Sequence, residues 1–345
     1  MKRIAKITVA LLLAVAMCFS LAGCYDEDLN WSAKYDDTEL PAGAYIYYLS
    51  IAYNEAASKV STEDEVLKCE IDGTPAETWI KNRADEYVNQ YFYIQNEMKR
   101  LGLEMTDEDY STCLQTTESY WNYFGTSFEK FGIAKTSFDI AYSQYNRMYL
   151  KVFNALYGEG GENEVPESEL RQHIEDDYYD YEYFSAPLTK TDDDNKSVDL
   201  TDEEKADLKE TLEKYKTKIE SGAMTVNDAA TDYALKVQQD STYQTGIKDE
   251  NGMQSSYMPD AFISAIKEMN EGDVEVVEST KYMIVLHRLP IKDDEDTLLE
   301  SSDNRSQLLL ELKNTEYADA VSAAAQSFEG VEWNQKVLNR YKPSM

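Results

Sequence analysis

The sequence predicts an α+β protein, with mostly helical N- and C-terminal segments bracketing a small βαααββ domain. Three observations lead there. Before residue 178 and after residue 292, apolar side chains recur three and four positions apart, the spacing of one helix face. Between 179 and 292, short runs alternate apolar with other residues, the period of a strand. Glycines, acidic loops and capping signals fall between these runs, where the chain must turn.

The chain opens with Lys2, Arg3 and Lys6 ahead of an apolar run from Ile7 to Leu21. These are the charged and hydrophobic regions of an export signal. The run is too short for a spanning helix, which needs about 20 apolar residues. Leu21-Ala22-Gly23-Cys24 resembles the lipobox of bacterial lipoproteins. That resemblance implies that residues 1–23 are a signal peptide and that the Cys24 thiol carries diacylglycerol. Two acyl chains anchor stably where a single one holds only marginally. The expected location is extracytoplasmic, lipid-anchored to the outer face of the bacterial cytoplasmic membrane, with residues 24–37 a lipidated N-terminus and polar spacer.

From residue 38 to 178 a helical domain is expected. Ile80, Ala84, Tyr87, Tyr91, Ile94, Met98 and Leu101 share one face of a long helix that Gly102 ends. Thr106 with Asp109 reads as a capping box for the next. Phe138, Ala141, Tyr145, Met148 and Val152 repeat the stripe until Gly158, Gly160 and Gly161 break it, and a short acidic helix follows Pro166. Aromatic stripes at this spacing are read as core.

The second domain is placed at 179–292. Tyr181, Tyr183 and Ser185 alternate as a strand, and Lys190 to Asp199 reads as a solvated acidic loop without the glycine and distal glutamate of a calcium loop. Thr201 and Glu204 form a second capping box, and Leu208, Leu212, Tyr215 and Ile219 give one apolar helix face. A helix at about Val226 to Leu235, a polar loop, a short helix at Pro259 to Met269 and a Gly272-Asp273 turn come next. Val274 and Val276, then Tyr282, Ile284 and Leu286, close the module as two strands. In 293–345, Leu309, Leu312, Tyr317 and Val321 suggest a long helix ending near Trp333 and Val337 that packs back on the first helices.

Charge narrows the function. The chain has 33 basic and 66 acidic residues, and removal of the signal takes the net charge from -33 to -36. Phosphate backbones are bound by lysine and arginine displacing counterions, so a nucleic-acid partner is excluded. Of the cysteines, Cys69 and Cys113 remain besides the anchor, without metal-ligand spacing; pairing and two buried thiols are both open. No metal site and no cofactor are expected. The two histidines, His173 and His287, offer little material for a triad or zinc site, and neither a His-Glu-x-x-His helix nor a Gly-x-Ser-x-Gly elbow occurs.

The order of elements resembles the PrsA and SurA group of extracytoplasmic foldases with a parvulin-type prolyl isomerase domain. The resemblance covers nearly the whole mature chain. It is most specific in LEKYKTKIESGAMTVNDAATDYA (212–234) and YMPDAFISAIKEMNEGDVEVVESTKYMIVLHRL (257–289), with GTSFEKFGIAKTSF (125–138) similar to the group's helical chaperone segment. Parvulins usually carry a histidine in the first strand and another in the last; the matching positions here hold Tyr183 and Met283. Met258 and Phe262 match the family's proline-pocket residues. The resemblance thus implies a substrate groove of Tyr183, Met258, Phe262 and Met283, with no confident catalytic residue. His287 lies four positions after Met283 and should share its strand face.

The expected function is a membrane-anchored chaperone or foldase for unfolded or nascent exported proteins, with weak or absent isomerase activity. An active parvulin-type isomerase is the first alternative, and a non-catalytic solute- or partner-binding surface lipoprotein the second. Solute-binding folds need repeated βαβ units, against which the long stripes from Ile80 to Val152 argue.

Overall fold

The computed structural model describes residues 29–342 except 61–62, 193 and 238, and except the side chains of 63–65. The expected signal peptide and Cys24 lie outside the described residues. Two compact units divide the chain, one of residues 1–163 with 313–345 and one of 164–312. Each combines helix with antiparallel sheet, so the class is α+β as the periodicities predict. Among the described residues no helix is long and apolar enough to cross a membrane.

The first unit begins with a hairpin, β1 (Trp31–Tyr35) and β2 (Thr38–Pro41), turning at Asp36 with φ of 52°. The C-terminal strand Glu332–Trp333 pairs with β1, Ala33 opposite Trp333. This corrects the expected spacer, since residues 31–35 are strand and Ser32 and Ala33 are fully buried. It also moves Trp333 from helix to sheet. Strands this short carry too few residues to show a period, and the partner lies at the other end of the chain.

Pro41 closes β2 and opens α1 (Ala42–Ser58), a helix buried along most of its first half. The small hairpin β3 (Glu70–Ile71) and β4 (Thr74–Pro75) leads into α2 (Ala76–Arg100). Ile80, Ala84, Tyr91, Ile94 and Met98 are buried there, while Tyr87 is half-buried and donates its hydroxyl to Glu55. Helix α3 (Asp107–Lys130) starts with the expected Thr106 and Asp109 box, each satisfying the other's backbone N–H. Then come α4 (Lys135–Phe138), a π-helical turn at Asp139–Gln144 and α5 (Tyr145–Tyr157). The returning stretch 313–326 packs on α2 and α5. Asn89 donates to the Ala325 carbonyl at 3.1 Å, Ser322 to Glu86 at 2.6 Å and Tyr317 to the Tyr149 carbonyl at 3.4 Å. No disulfide joins Cys69 to Cys113; the Cys113 thiol is buried and donates to the Ser143 carbonyl.

The second unit runs α6 (Glu167–Asp177), β5 (Tyr178–Pro187), β6 (Thr189–Thr191), β7 (Ser197–Asp199), α7 (Asp202–Glu220), α8 (Val226–Val237), β8 (Gln244–Asp249), α9 (Glu250–Ser255), α10 (Asp260–Glu268), β9 (Val274–Glu278), β10 (Tyr282–Leu289) and α11 (Glu295–Glu300). It ends in the first part of the helix Ser302–Gln326. The sheet order β8-β5-β10-β9 is antiparallel throughout. Three differences from the sequence reading stand out. The Lys190 to Asp199 segment is the small exposed hairpin β6-β7. The expected polar loop holds β8 and α9. And the unit spans 164–312 rather than 179–292, because polar contacts tie its flanks together: Arg171 reaches Glu295 at 2.6 Å and Asp296 at 2.7 Å, Lys292 reaches Glu175 at 3.0 Å, and His173 lies 2.9 Å from Glu311.

One buried charge fixes the first unit. Asp109 is 1% exposed and accepts from Arg147 at 2.5 Å, Lys151 at 2.7 Å and the Thr106 N–H at 2.8 Å. Burial opposes its ionisation, but these bonds prevail and hold the carboxyl well below the usual range. A depressed carboxyl stabilises above its unfolded pKa, near 4, and loses that contribution as pH falls toward its folded value. Replacing Asp109→Ala removes the cap and strands two cations, so a loss of about 2–4 kcal/mol is expected at pH 7. The difference from wild type should shrink by pH 3, as read from urea unfolding.

Candidate functional site

Side chains along β5 and β10 point alternately to the two faces of the sheet. Tyr181, Tyr183, Ile284 and Leu286 stand on one face, covered by Met253 of α9 and by Phe262, Ile263 and Ile266 of α10. Phe184, Ala186, Met283 and Val285 stand on the other, against Leu212 of α7 and Ala229 of α8.

Three of the four residues expected to form a groove therefore meet. The Tyr183 ring lies 5.2 Å from that of Phe262 at 70°, and its hydroxyl is 3.9 Å from the Met258 Sδ. Tyr183 and Met258 are half-buried, whereas Phe262 is fully buried against them. Met283 does not join them. It pairs with Ala186, is 1% exposed and packs on the opposite face. The register decides the face: Tyr183 stands opposite Leu286, so its face takes Ile284 and Leu286 and excludes Met283.

Next to Met258 the sequence reading missed an aromatic pair. Tyr257 is 94% exposed and has φ of 56°, a conformation that costs a bulky residue on the order of 1–3 kcal/mol. It and the 41%-exposed Tyr282 line a groove of about 370 Å³ with Pro259, Asp260, Thr280 and Lys281. An aromatic residue directly before Met258-Pro259 was the available signal.

Neither histidine reaches this face. His287 shares Met283's face, as its spacing predicts, and its Nδ1 is 2.9 Å from Glu182 Oε1; Tyr243 donates to the other carboxylate oxygen at 2.8 Å. The His287 contact holds Glu182 below the usual carboxylate range. His173 sits between Asp177 at 2.8 Å and Glu311 at 2.9 Å. Farther along β5, Asp180 is 4% exposed, and one of its oxygens has no hydrogen-bond partner. Burial, then the neighbouring Asp294 carboxylate, push its pKa up to about 7.

The first unit presents a different surface. Of eleven large apolar side chains exposed among the described residues, six lie on α3 or just past it: Tyr110, Leu114, Tyr120, Tyr123, Phe124 and Phe131. Tyr123, 85% exposed, contacts Phe124 at 6.4 Å, and Phe124 contacts Tyr120 and Phe128 at 6.4 and 6.2 Å, so the rings run on continuously. Gly125, inside α3, permits the packing: a Cβ there would lie 2.6 Å from Trp121 Nε1. Glycine in a helix costs roughly 0.5–1 kcal/mol relative to alanine, and here the indole occupies the space released.

These positions give two expected outcomes. Phe262→Ala should cost about 3–5 kcal/mol by emptying a core site, whereas Met258→Ala at a half-buried site should cost under about 1.5 kcal/mol, both measured by chemical denaturation. Asp180 has a raised pKa, so its contribution is complete below the unfolded value near 4 and is lost as pH rises through about 7. The gain in melting temperature from Asp180→Asn should therefore be larger at pH 8 than at pH 5.

No family model matches the chain, and no curated protein does. Among solved structures it is similar to foldase protein PrsA of Streptococcus pneumoniae, at 13% identity and TM-score 0.39 over 79% of this chain and 97% of that one. It is similar to PrsA of Lactococcus lactis at 12% and 0.38, over 90% and 98% of the two chains. For PrsA of Bacillus subtilis the values are 14% and 0.31, over 76% and 86%.

Proposed function

We propose that the mature chain is an extracytoplasmic foldase of the holdase kind, tethered through Cys24, that binds apolar stretches of unfolded exported proteins. The observation that carries this reading is the exposed aromatic face of α3. Contiguous exposed apolar surface on a soluble unit marks a binding site, and aromatic rings supply large contact area at low entropic cost. The group of Tyr183, Met258 and Tyr257 offers a second, weaker site on the same chain. Two linked weak sites gain avidity without tight contacts at either.

Prolyl isomerisation is weak or absent in this reading. Rotation about the bond crosses a barrier of about 20 kcal/mol, lowered by desolvating the amide and holding its twisted form. That apolar group offers desolvation, but no histidine stands on the Tyr183 face to build a polar network beneath a bound proline.

Light scattering from an aggregating unfolded client tests the proposal. The mature chain should suppress the signal, and the double variant Tyr123→Ser with Phe124→Ser should need severalfold more protein for equal effect while melting within a few degrees of wild type. An Ala-Pro test peptide should isomerise no faster in its presence. Cys24→Ser should move the protein from the membrane to the soluble fraction. Failure to protect several clients sinks the holdase reading, and peptide acceleration lost on Tyr183→Ala would establish the isomerase instead.

A further inference from the structure

A strand at the edge of a sheet exposes alternate backbone N–H and C=O groups to any chain that can pair with them. The sheet of the second unit has two such edges. At one, β9 reads Val-Glu-Val-Val-Glu, and Glu275 is paired with Lys216 of α7 at 3.2 Å. Charges on an edge discourage pairing. The other edge, β8, pairs with β5 in unbroken register from Tyr178 opposite Asp249 to Tyr183 opposite Gln244. Among the described residues, no hydrogen bond reaches the backbone of Gln244–Ile247 from anywhere but β5. The strand has no proline, its two charges, Lys248 and Asp249, sit at its C-terminal end, and Gly246 leaves room for the Tyr181 hydroxyl, since a Cβ there would lie 2.7 Å from that oxygen.

Beside β8 opens a cavity of about 470 Å³ with Ile247, Leu298 and Leu308 among its apolar lining and the amides of Asn304 and Gln307 among its polar lining. A second cavity, of about 490 Å³, shares Asp249 and Glu311 with the first and adds Asp177 and Glu250. Both volumes lie in the range of ligand sites.

We infer that β8 takes an extended peptide segment as a fifth strand, one that carries an apolar side chain for the Ile247–Leu298–Leu308 wall and a lysine or arginine for the Asp249–Glu311 end. Each part of that description answers a separate feature. The open ladder requires an extended backbone with free N–H groups. The leucines suit an apolar side chain, and the Asp249 and Glu311 carboxylates, already bonded to the Gly252 N–H and to His173, Tyr178 and Gln307, keep a negative charge that attracts a cation. The negative net charge, -33 over the full chain, favours basic segments over acidic ones within the screening length. The inference rests on the chain-binding reading for the kind of ligand only; β8 and α3 are different surfaces and fail separately.

Hydrogen exchange on the full mature chain tests it, with an acetylated and amidated octapeptide alternating valine and lysine as probe. Amides of Gln244–Ile247 should exchange at least fivefold more slowly with the peptide, and those of β9 should not change. The same peptide N-methylated at alternate residues keeps its side chains but loses the ladder donors, and it should give no protection. Leu298→Ser should raise the peptide concentration needed by severalfold. Equal protection by the N-methylated peptide, or none at β8, overturns the inference. So does protection that rises with protein concentration alone, which would make β8 an edge for a second copy. Undiminished client protection in the Tyr123 and Phe124 variant with β8 protection intact would sink only the α3 reading.

Discussion

The second unit depends on the register of β5 against β10. Eight residues pair, from Asp180 opposite Leu289 to Pro187 opposite Tyr282, and both faces of this ribbon are buried. A slip of one position would turn every side chain to the wrong face. Phe184 would leave the α7–α8 core, and Glu182 would enter the α10 side among Phe262 and Ile266. Glu182 and His287 oppose that slip directly, because they stand opposite one another in the ladder and touch at 2.9 Å only in this register. The same constraint separates Met283 from Tyr183, so a rule about strand geometry, with no reference to chemistry, reduces the proposed groove from four residues to three.

Tyrosine use shows why composition alone leaves binding undecided. The chain has 27 tyrosines. Many are structural: Tyr45, Tyr47, Tyr48, Tyr91, Tyr157 and Tyr317 are buried in the first unit, and Tyr48 and Tyr317 donate to the carbonyls of Ala141 and Tyr149. A tyrosine buried for its large apolar contact usually finds its hydroxyl a partner as well. On α3, Tyr123 is exposed outside that core whereas Tyr120 still packs on Phe138 and Tyr142, and this difference is legible in the structure alone.

What the sequence disclosed follows the range of the signal. Helix stripes such as Ile80 to Met98, and the boxes at Thr106 and Thr201, are local, because both partners of each contact lie within a few residues. The tail helix packing on the first helices was also legible, since its stripe needed a partner. Strand β1 was not, because its meaning comes from Trp333 at the far end of the chain. Strand β8 was hidden in a polar run, where an edge strand with one solvated flank lacks the apolar alternation of a central one. The unit boundary was set by ion pairs of Arg171 and Lys292, and charges without periodicity announce no fold. At the candidate site, Tyr183, Met258 and Phe262 were reached by resemblance, while Tyr257 needed its backbone conformation to be seen.

A surface aromatic face and an open strand edge are both aggregation hazards, and a lipid anchor would raise the local concentration at which they meet their copies. The acidity of the chain answers that hazard. A net charge of -33 sets like molecules against each other, and the repulsion acts over a screening length of about 8–10 Å, longer than the contact distance between two aromatic faces. An unfolded segment of balanced or basic charge feels no such barrier. The charge therefore sorts by partner: it discourages the face of α3 and the edge of β8 from meeting themselves while leaving both open to a chain of different composition.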